Sequence, residues 1–135
     1  MKKQRALAAA ILFYLMAFGG ACAGTEPLRE LRFLHLAGTQ VTDAGLEHLQ
    51  GMTQLRTLLL DVTRVTGPGL ERLKGLRRLR AVSLGNAAVT DAGLVGAQGL
   101  KQIQWLHLEG THVTDAGPRH LRGLTQLPDR DQEIN

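Results

Sequence analysis

Thr39-Gln40-Val41-Thr42-Asp43-Ala44-Gly45-Leu46 decides the fold, because the chain repeats it three times at a fixed step of 24 residues. The copies are Thr63-Arg64-Val65-Thr66-Gly67-Pro68-Gly69-Leu70, Ala87-Ala88-Val89-Thr90-Asp91-Ala92-Gly93-Leu94 and Thr111-His112-Val113-Thr114-Asp115-Ala116-Gly117-Pro118. The flanking apolar positions keep the same step: Leu31, Leu55, Leu79, Ile103, Leu127; Leu34, Leu58, Val82, Leu106; and Leu36, Leu60, Leu84, Leu108. A period in this range means a stack of units, each of which buries its apolar face only against its neighbours.

The wording L-x-x-L-x-L-x-x-T-x-V-T-D-A-G-L-x-x-L-x-G-L over residues 28–127 resembles the leucine-rich repeats, specifically the bacterial TDAGL type. It is similar to the ribonuclease-inhibitor-like and F-box-associated subclasses. The resemblance implies an α/β fold: a right-handed solenoid, a horseshoe segment of four 24-residue strand-helix repeats. It also implies a binding module that presents a concave parallel sheet to a protein partner.

Side chains alternate along a strand. If Leu34 and Leu36 point into the core, Phe33 and His35 point out, and identical spacing stacks such strands in parallel. Thr39, Thr63 and Thr111 then lie at the corner after the strand, where their hydroxyls are expected to bond the turning backbone of the adjacent coil. Ala87 has no hydroxyl to do so. In Val41-Thr42-Asp43-Ala44-Gly45-Leu46, Thr42 is expected as an N-cap accepting from the Gly45 amide, with Asp43 favourable in the first turn. Val41 and Leu46 form a staple, and Gly51 sits in a left-handed position past the helix end. Glycine at 45, 69, 93 and 117 costs roughly 0.5–1 kcal/mol each relative to alanine inside a helix, which points to tight contact between coils. Pro118 replaces a leucine and is expected to lose the staple and one helical hydrogen bond.

The 135 residues carry 16 basic and 12 acidic side chains, for a net charge of +4. Lys2, Lys3 and Arg5 stand apart at the start, so the remainder holds 13 basic against 12 acidic groups, a net of +1. A near-neutral body lacks the clustered basic surface that phosphate binding requires, and nucleic acid is discounted. Residues 1–23 run from that basic start through apolar Ala6–Phe18 to Gly19-Gly20-Ala21-Cys22-Ala23, the order of a secretory signal. The apolar core falls short of the ~20 residues of a spanning helix, although a retained anchor is the competing possibility. Cys22, the single cysteine, admits no internal disulfide. Phe18-Gly19-Gly20-Ala21-Cys22 resembles a lipoprotein signal, which makes Cys22 a lipidation candidate. Ala21-Cys22-Ala23 alternatively serves as a cleavage site that leaves a soluble chain. The expected division is a signal segment at 1–23, the repeat domain at 24–127 and a flexible polar tail at 128–135.

The five histidines do not make a metal site. His35 and His107 share a column but stand about 14 Å apart at the strand spacing, whereas ligands lie within about 2.0–2.3 Å of an ion. No metal, nucleotide or other cofactor is expected. Ser83, the only serine, neighbours His107 on the next strand, with Glu109 two residues on. These are the elements of a nucleophilic triad, but an open sheet face offers neither oxyanion donors nor a pocket. A serine hydrolase using Ser83 and His107 is therefore a remote alternative, and no catalytic residue is assigned.

The expected partner-binding surface is the concave face: Phe33, His35, Thr57, Leu59, Ser83, Trp105, His107 and Glu109, bordered by the column Arg32, Arg56, Arg80. Phe33 and Trp105 fall in one outward column, unless the chain ends fold over them. The arginines are either a solvated edge or a stripe for an acidic partner. The sum is an exported protein of the periplasm, envelope or exterior, touching membrane only through its signal or a lipid. Its expected partner is a protein. An envelope-structural or glycan-binding role is the alternative.

Overall fold

The computed structural model describes residues 29–127. The expected signal segment, Cys22 and the tail 128–135 lie outside the described residues. Four short parallel strands, β1 (Phe33–His35), β2 (Thr57–Leu59), β3 (Ala81–Ser83) and β4 (Trp105–His107), form one sheet in chain order. Each strand is followed by a 3-10 helix: η1 (Ala44–Leu49), η2 (Pro68–Gly75), η3 (Gly93–Gly99) and η4 (Gly117–Leu121). The result is a leucine-rich-repeat-like α/β solenoid.

The strands pair Leu34 with Leu58, Leu58 with Val82, and Val82 with Leu106. Each of these side chains is buried, so every coil contributes the same inward column and the pleat turns the alternate residues outward. The sheet begins at the arginine column. The Arg32 carbonyl accepts from the amides of Arg56 and Thr57, the Arg56 carbonyl from Arg80 and Ala81, and the Arg80 carbonyl from Gln104 and Trp105.

The back of each coil is 3-10 rather than α, and the apolar spacing explains why. Residues three apart eclipse one another in a 3-10 helix. Leu46, Leu49, Met52 and Leu55 recur at that interval, as do Leu70, Leu73, Leu76 and Leu79, then Leu94, Ala97, Leu100 and Ile103; all twelve are buried. Backbone bonds of matching reach carry the chain onward, with the Met52 amide donating to Leu49 at 2.9 Å and Leu55 to Met52 at 3.1 Å. A turn closed in this way needs no left-handed cap. Gly51 is accordingly not in the left-handed region, contrary to expectation; among the described residues only Gly38, Gly67 and Gly110 among glycines have positive φ. Pro118 sits in the first turn of η4. Leu46, Leu70 and Leu94 at its place in the other coils donate to the carbonyls of Asp43, Gly67 and Asp91, and proline, which has no N–H, loses that bond as expected.

The left-handed position lies instead just after the strand, in register: Gly38 (φ 73°), Val62 (φ 56°), Asn86 (φ 54°) and Gly110 (φ 71°). Glycine and asparagine tolerate this conformation, but a β-branched side chain does not. Val62 is 60% exposed and gains no burial in return. The neighbouring corner threonines turn inward on their own coil. Thr39, Thr63 and Thr111 donate to the carbonyls of Leu36, Leu60 and Leu108 at 2.6, 2.6 and 2.7 Å. They do not reach the adjacent coil, because a short hydroxyl spans only the three-residue turn. At Ala87 the Leu84 carbonyl is still taken, by the Ala87 amide at 3.0 Å.

Coil-to-coil attachment on the far side is carried by aspartate, not by the expected threonine cap. Gly45 donates to the backbone carbonyl of Thr42 at 3.0 Å, and η1 has no side-chain cap. Asp43 serves the following coil instead. It accepts from the Thr66 hydroxyl (2.6 Å) and from the amides of Thr66, Gly67 and Gly69 (3.0, 3.1 and 2.9 Å). Asp91 repeats the arrangement with the Thr114 hydroxyl and amide at 2.6 and 2.8 Å. Where Gly67 replaces aspartate, Thr90 caps its own turn by accepting from the Gly93 amide at 3.2 Å, and the coils press together. A Cβ at Gly93 would lie 2.0 Å from the Thr66 carbonyl oxygen, and one at Gly69 would lie 2.7 Å from the Asp43 Cα. The glycine column is thus explained at these positions by close backbone approach.

Partial burial opposes ionisation of Asp43, but the Thr66 hydroxyl and the amides of Thr66, Gly69 and Gly67 outweigh it and hold its carboxyl below the ordinary value. A depressed carboxylate contributes stability that is present above the unfolded pKa of about 3.9 and is lost as pH falls through the folded value. Asp43→Ala is expected to cost about 1–2 kcal/mol near neutrality, in line with a lost cap. It should also flatten the acid limb of a stability-versus-pH curve measured by urea denaturation. In the core, Leu58→Ala should cost roughly 2–5 kcal/mol, while Thr57→Ala should cost less than about 0.5 kcal/mol. Val62→Gly should raise stability by about 1 kcal/mol by relieving the left-handed valine.

Candidate functional site

The residue before each strand, its two outward residues and the residue two beyond it form four columns. The first holds Arg32, Arg56, Arg80 and Gln104, all exposed. The second holds Phe33, Thr57, Ala81 and Trp105, with Phe33 52% and Trp105 42% exposed and the smaller residues half-buried between them. The third is His35, Leu59, Ser83 and His107, and the fourth is Ala37, Asp61, Gly85 and Glu109. The sheet face therefore runs from cationic at its N-terminal edge to anionic at its C-terminal edge, with one large aromatic at each end coil.

The geometry follows from the register. Pairing of Ser83 with His107 puts the Ser83 hydroxyl 3.0 Å from His107 Nδ1. On the other side the same hydroxyl donates to Asp61 Oδ1 at 2.5 Å, and the Gly85 amide donates to that oxygen at 3.0 Å. His107 Nδ1 lies 3.6 Å from Asp61 Oδ1, and its Nε2 lies 3.2 Å from Glu109 Oε2. Trp105 stacks on the His107 ring, with centroids 5.7 Å apart and an interplanar angle of 26°. A Cβ at Gly85 would stand 2.7 Å from Asp61 Oδ1 and 3.0 Å from His107 Cε1, so only glycine leaves room for carboxylate and imidazole to close over it.

Ser83, His107 and Glu109 are thus brought together, but not as a nucleophile with its base. The Ser83 proton is committed to Asp61, so its oxygen offers His107 a lone pair. That is the reverse of the polarity a serine nucleophile needs. Ser83 is also only 3% exposed. This corrects its expected place on the partner-facing surface: the hydroxyl is tied down beneath His107, and it orients the imidazole rather than meeting a ligand. Asp61 was missing from the expected set, although its signal was in the sequence. It occupies the same column as Glu109 and lies beside Ser83 on the preceding coil.

Of the remaining expected residues, Thr57, Leu59 and His35 are half-buried on the face, and Arg32 and Arg56 are exposed along its border. Arg80 folds back, its guanidinium donating to the carbonyls of Arg77, Leu79 and Gln102 at 3.2–3.4 Å. Its charge remains on the edge, but the side chain helps close the loop beneath β3 and β4. Among the described residues there is no group of three or more His, Cys, Asp or Glu side chains that could hold a metal ion. No helix there is long and apolar enough to cross a membrane.

No family model matches the chain, and no curated protein matches it. Among solved structures, an internalin from Listeria monocytogenes is similar at 20% identity with a TM-score of 0.48, over 74% of this chain and 34% of that one. The chain thus spans only 34% of that protein's length.

The buried Ser83–Asp61 hydrogen bond gives a direct test. Asp61→Ala removes the carboxylate that accepts from both the buried Ser83 hydroxyl and the Gly85 amide and should cost about 1–3 kcal/mol. A double-mutant cycle with Ser83→Ala should return a coupling of roughly 0.5–3 kcal/mol, read from denaturation midpoints.

Proposed function

We propose that the chain is an exported binding module of the TDAGL leucine-rich-repeat type, a right-handed stack of four 24-residue units, whose concave sheet engages a protein. The exposed Trp105, held by its stack on His107, is the observation that supports this most. An indole that stays open to solvent while its ring plane is fixed from behind is pre-organised for a partner, and tryptophan is over-represented among binding hot spots. Phe33 offers a second anchor at the other end coil. Arg32 and Arg56 on one border, with Asp61 and Glu109 on the other, set the orientation in which a partner of complementary charge lands. No catalytic role is assigned to Ser83. The sequence of residues 1–23 supports export, with Cys22 as the point of lipid attachment or cleavage.

Trp105 is the only tryptophan in the chain, so its fluorescence reports this site alone. The emission should be that of a solvent-exposed indole and should be quenched readily by acrylamide; a blue-shifted, unquenched emission contradicts the anchor. Against a partner captured from envelope extract, Trp105→Ala should weaken binding by roughly 2 kcal/mol or more while leaving thermal unfolding in place. Expressed in a bacterium with its own N-terminus, the chain should lose about 21–23 residues by intact mass, and retention of Met1 would overturn export.

A further inference from the structure

The aspartate device that joins the coils is left open at the last coil. Asp43 clasps the start of η2 from the first coil, and Asp91 clasps Thr114 from the third. Asp115 occupies the same position in the fourth coil; it is exposed, and among the described residues it makes no hydrogen bond. At the opposite end Thr42 occupies the position of Thr66 and Thr114, likewise exposed, with its amide and hydroxyl unused among the described residues. One end of the solenoid therefore holds a capping carboxylate and the other holds the group such a carboxylate caps.

The backbone edges match in the same register. Within the chain, Leu36, Leu60 and Leu84 donate forward to Leu59, Ser83 and His107, and Gly38, Val62 and Asn86 donate forward to Asp61, Gly85 and Glu109. Leu108 and Gly110 are the next donors in these two series, and among the described residues neither has an acceptor. The carbonyls that would continue the series are those of His35 and Ala37 on a first coil. The Gln104 carbonyl corresponds to those of Arg32, Arg56 and Arg80, and would receive the amides of Arg32 and Phe33.

We propose that the fourth coil docks the first coil of a second copy of this chain, with Asp115 accepting from the Thr42 hydroxyl and amide of that copy. The chain's own residues 128–135 are a poorer occupant. The 24-residue step would place Arg130 and Gln132 in the two inward columns otherwise held by Leu34, Leu58, Val82 and Leu106 and by Leu36, Leu60, Leu84 and Leu108. A second copy supplies Leu34 and Leu36 there. Its arginine and aromatic columns would also continue those of the first, so that Phe33 of one copy stands next to Trp105 of the other. A contact of this head-to-tail kind joins two different surfaces and leaves one of each free on a pair of copies, so it adds further copies and builds a ladder of oligomers rather than a single two-fold dimer.

This inference is independent of the concave-face function, and sedimentation velocity of the full chain over a wide concentration range tests it. The weight-average mass should rise steadily with concentration. Asp115→Ala and Thr42→Val should each move that rise to at least ten-fold higher concentration. Neither should shift the thermal midpoint of the dilute monomer, because among the described residues neither side chain makes a hydrogen bond. A monomer at every concentration overturns the proposal, as does association that either variant leaves unchanged. Association abolished by Trp105→Ala but kept in Asp115→Ala would place the contact on the concave face and equally overturn it.

Discussion

The structure depends on one constraint: every coil must present its backbone to the next in the same register. The Leu36 amide reaches the Leu59 carbonyl at 2.8 Å, and the Leu60 and Leu84 amides repeat that bond with Ser83 and His107 at the same length. A one-residue slip in any coil would carry its leucines to the solvent face and its polar residues into the core. The inward columns make such a slip costly, since Leu58, Leu60 and Leu84 have no exposed surface. Surface chemistry inherits the register. The position of each outward side chain is set by its place in the 24-residue step, and so residues distant in sequence are brought side by side without any dedicated loop.

That inheritance produced the polar cluster. Asp61, Ser83 and His107 come from three successive coils and meet only because their strands are stacked in step. Gly85 completes the group by withholding a side chain where carboxylate and imidazole converge. The outcome is a fixed imidazole under an exposed indole, with its hydroxyl partner buried. In this arrangement the polar groups satisfy one another, with the Ser83 hydroxyl donated to Asp61 and the imidazole held between Ser83 and Glu109.

The inward leucines, the outward Phe33 and Trp105 and the Ser83–His107 neighbourhood were legible from the sequence, because strand alternation and a constant period are enough to place them. The back of the coil was misjudged. Pairing Leu46 with Leu49 is compatible with an α-helix, but the continued run through Met52 and Leu55 is a three-residue spacing, which belongs to a 3-10 helix. Treating each repeat as self-contained also hid the role of Asp43. Its most favourable donors lie in the following coil, at Thr66, Gly67 and Gly69, and a cap of that kind is visible only when two repeats are set side by side. Val62 in a left-handed turn was legible only from its column, since Gly38, Asn86 and Gly110 hold the same place in the 24-residue step while valine itself gives no such signal.

The central claim is that the strand register divides each coil into buried and presented columns, and thiol accessibility measures that division directly. With Cys22 replaced by alanine, single cysteines at Phe33, Leu34, Thr57, Leu58, Trp105 and Leu106 can be labelled under native conditions. Labelling should alternate, fast at 33 and 105, intermediate at 57, and at 34, 58 and 106 slow until denaturant is added. Uniform rates, or fast labelling at the leucine positions in a folded protein, would contradict the register and with it the surface built upon it.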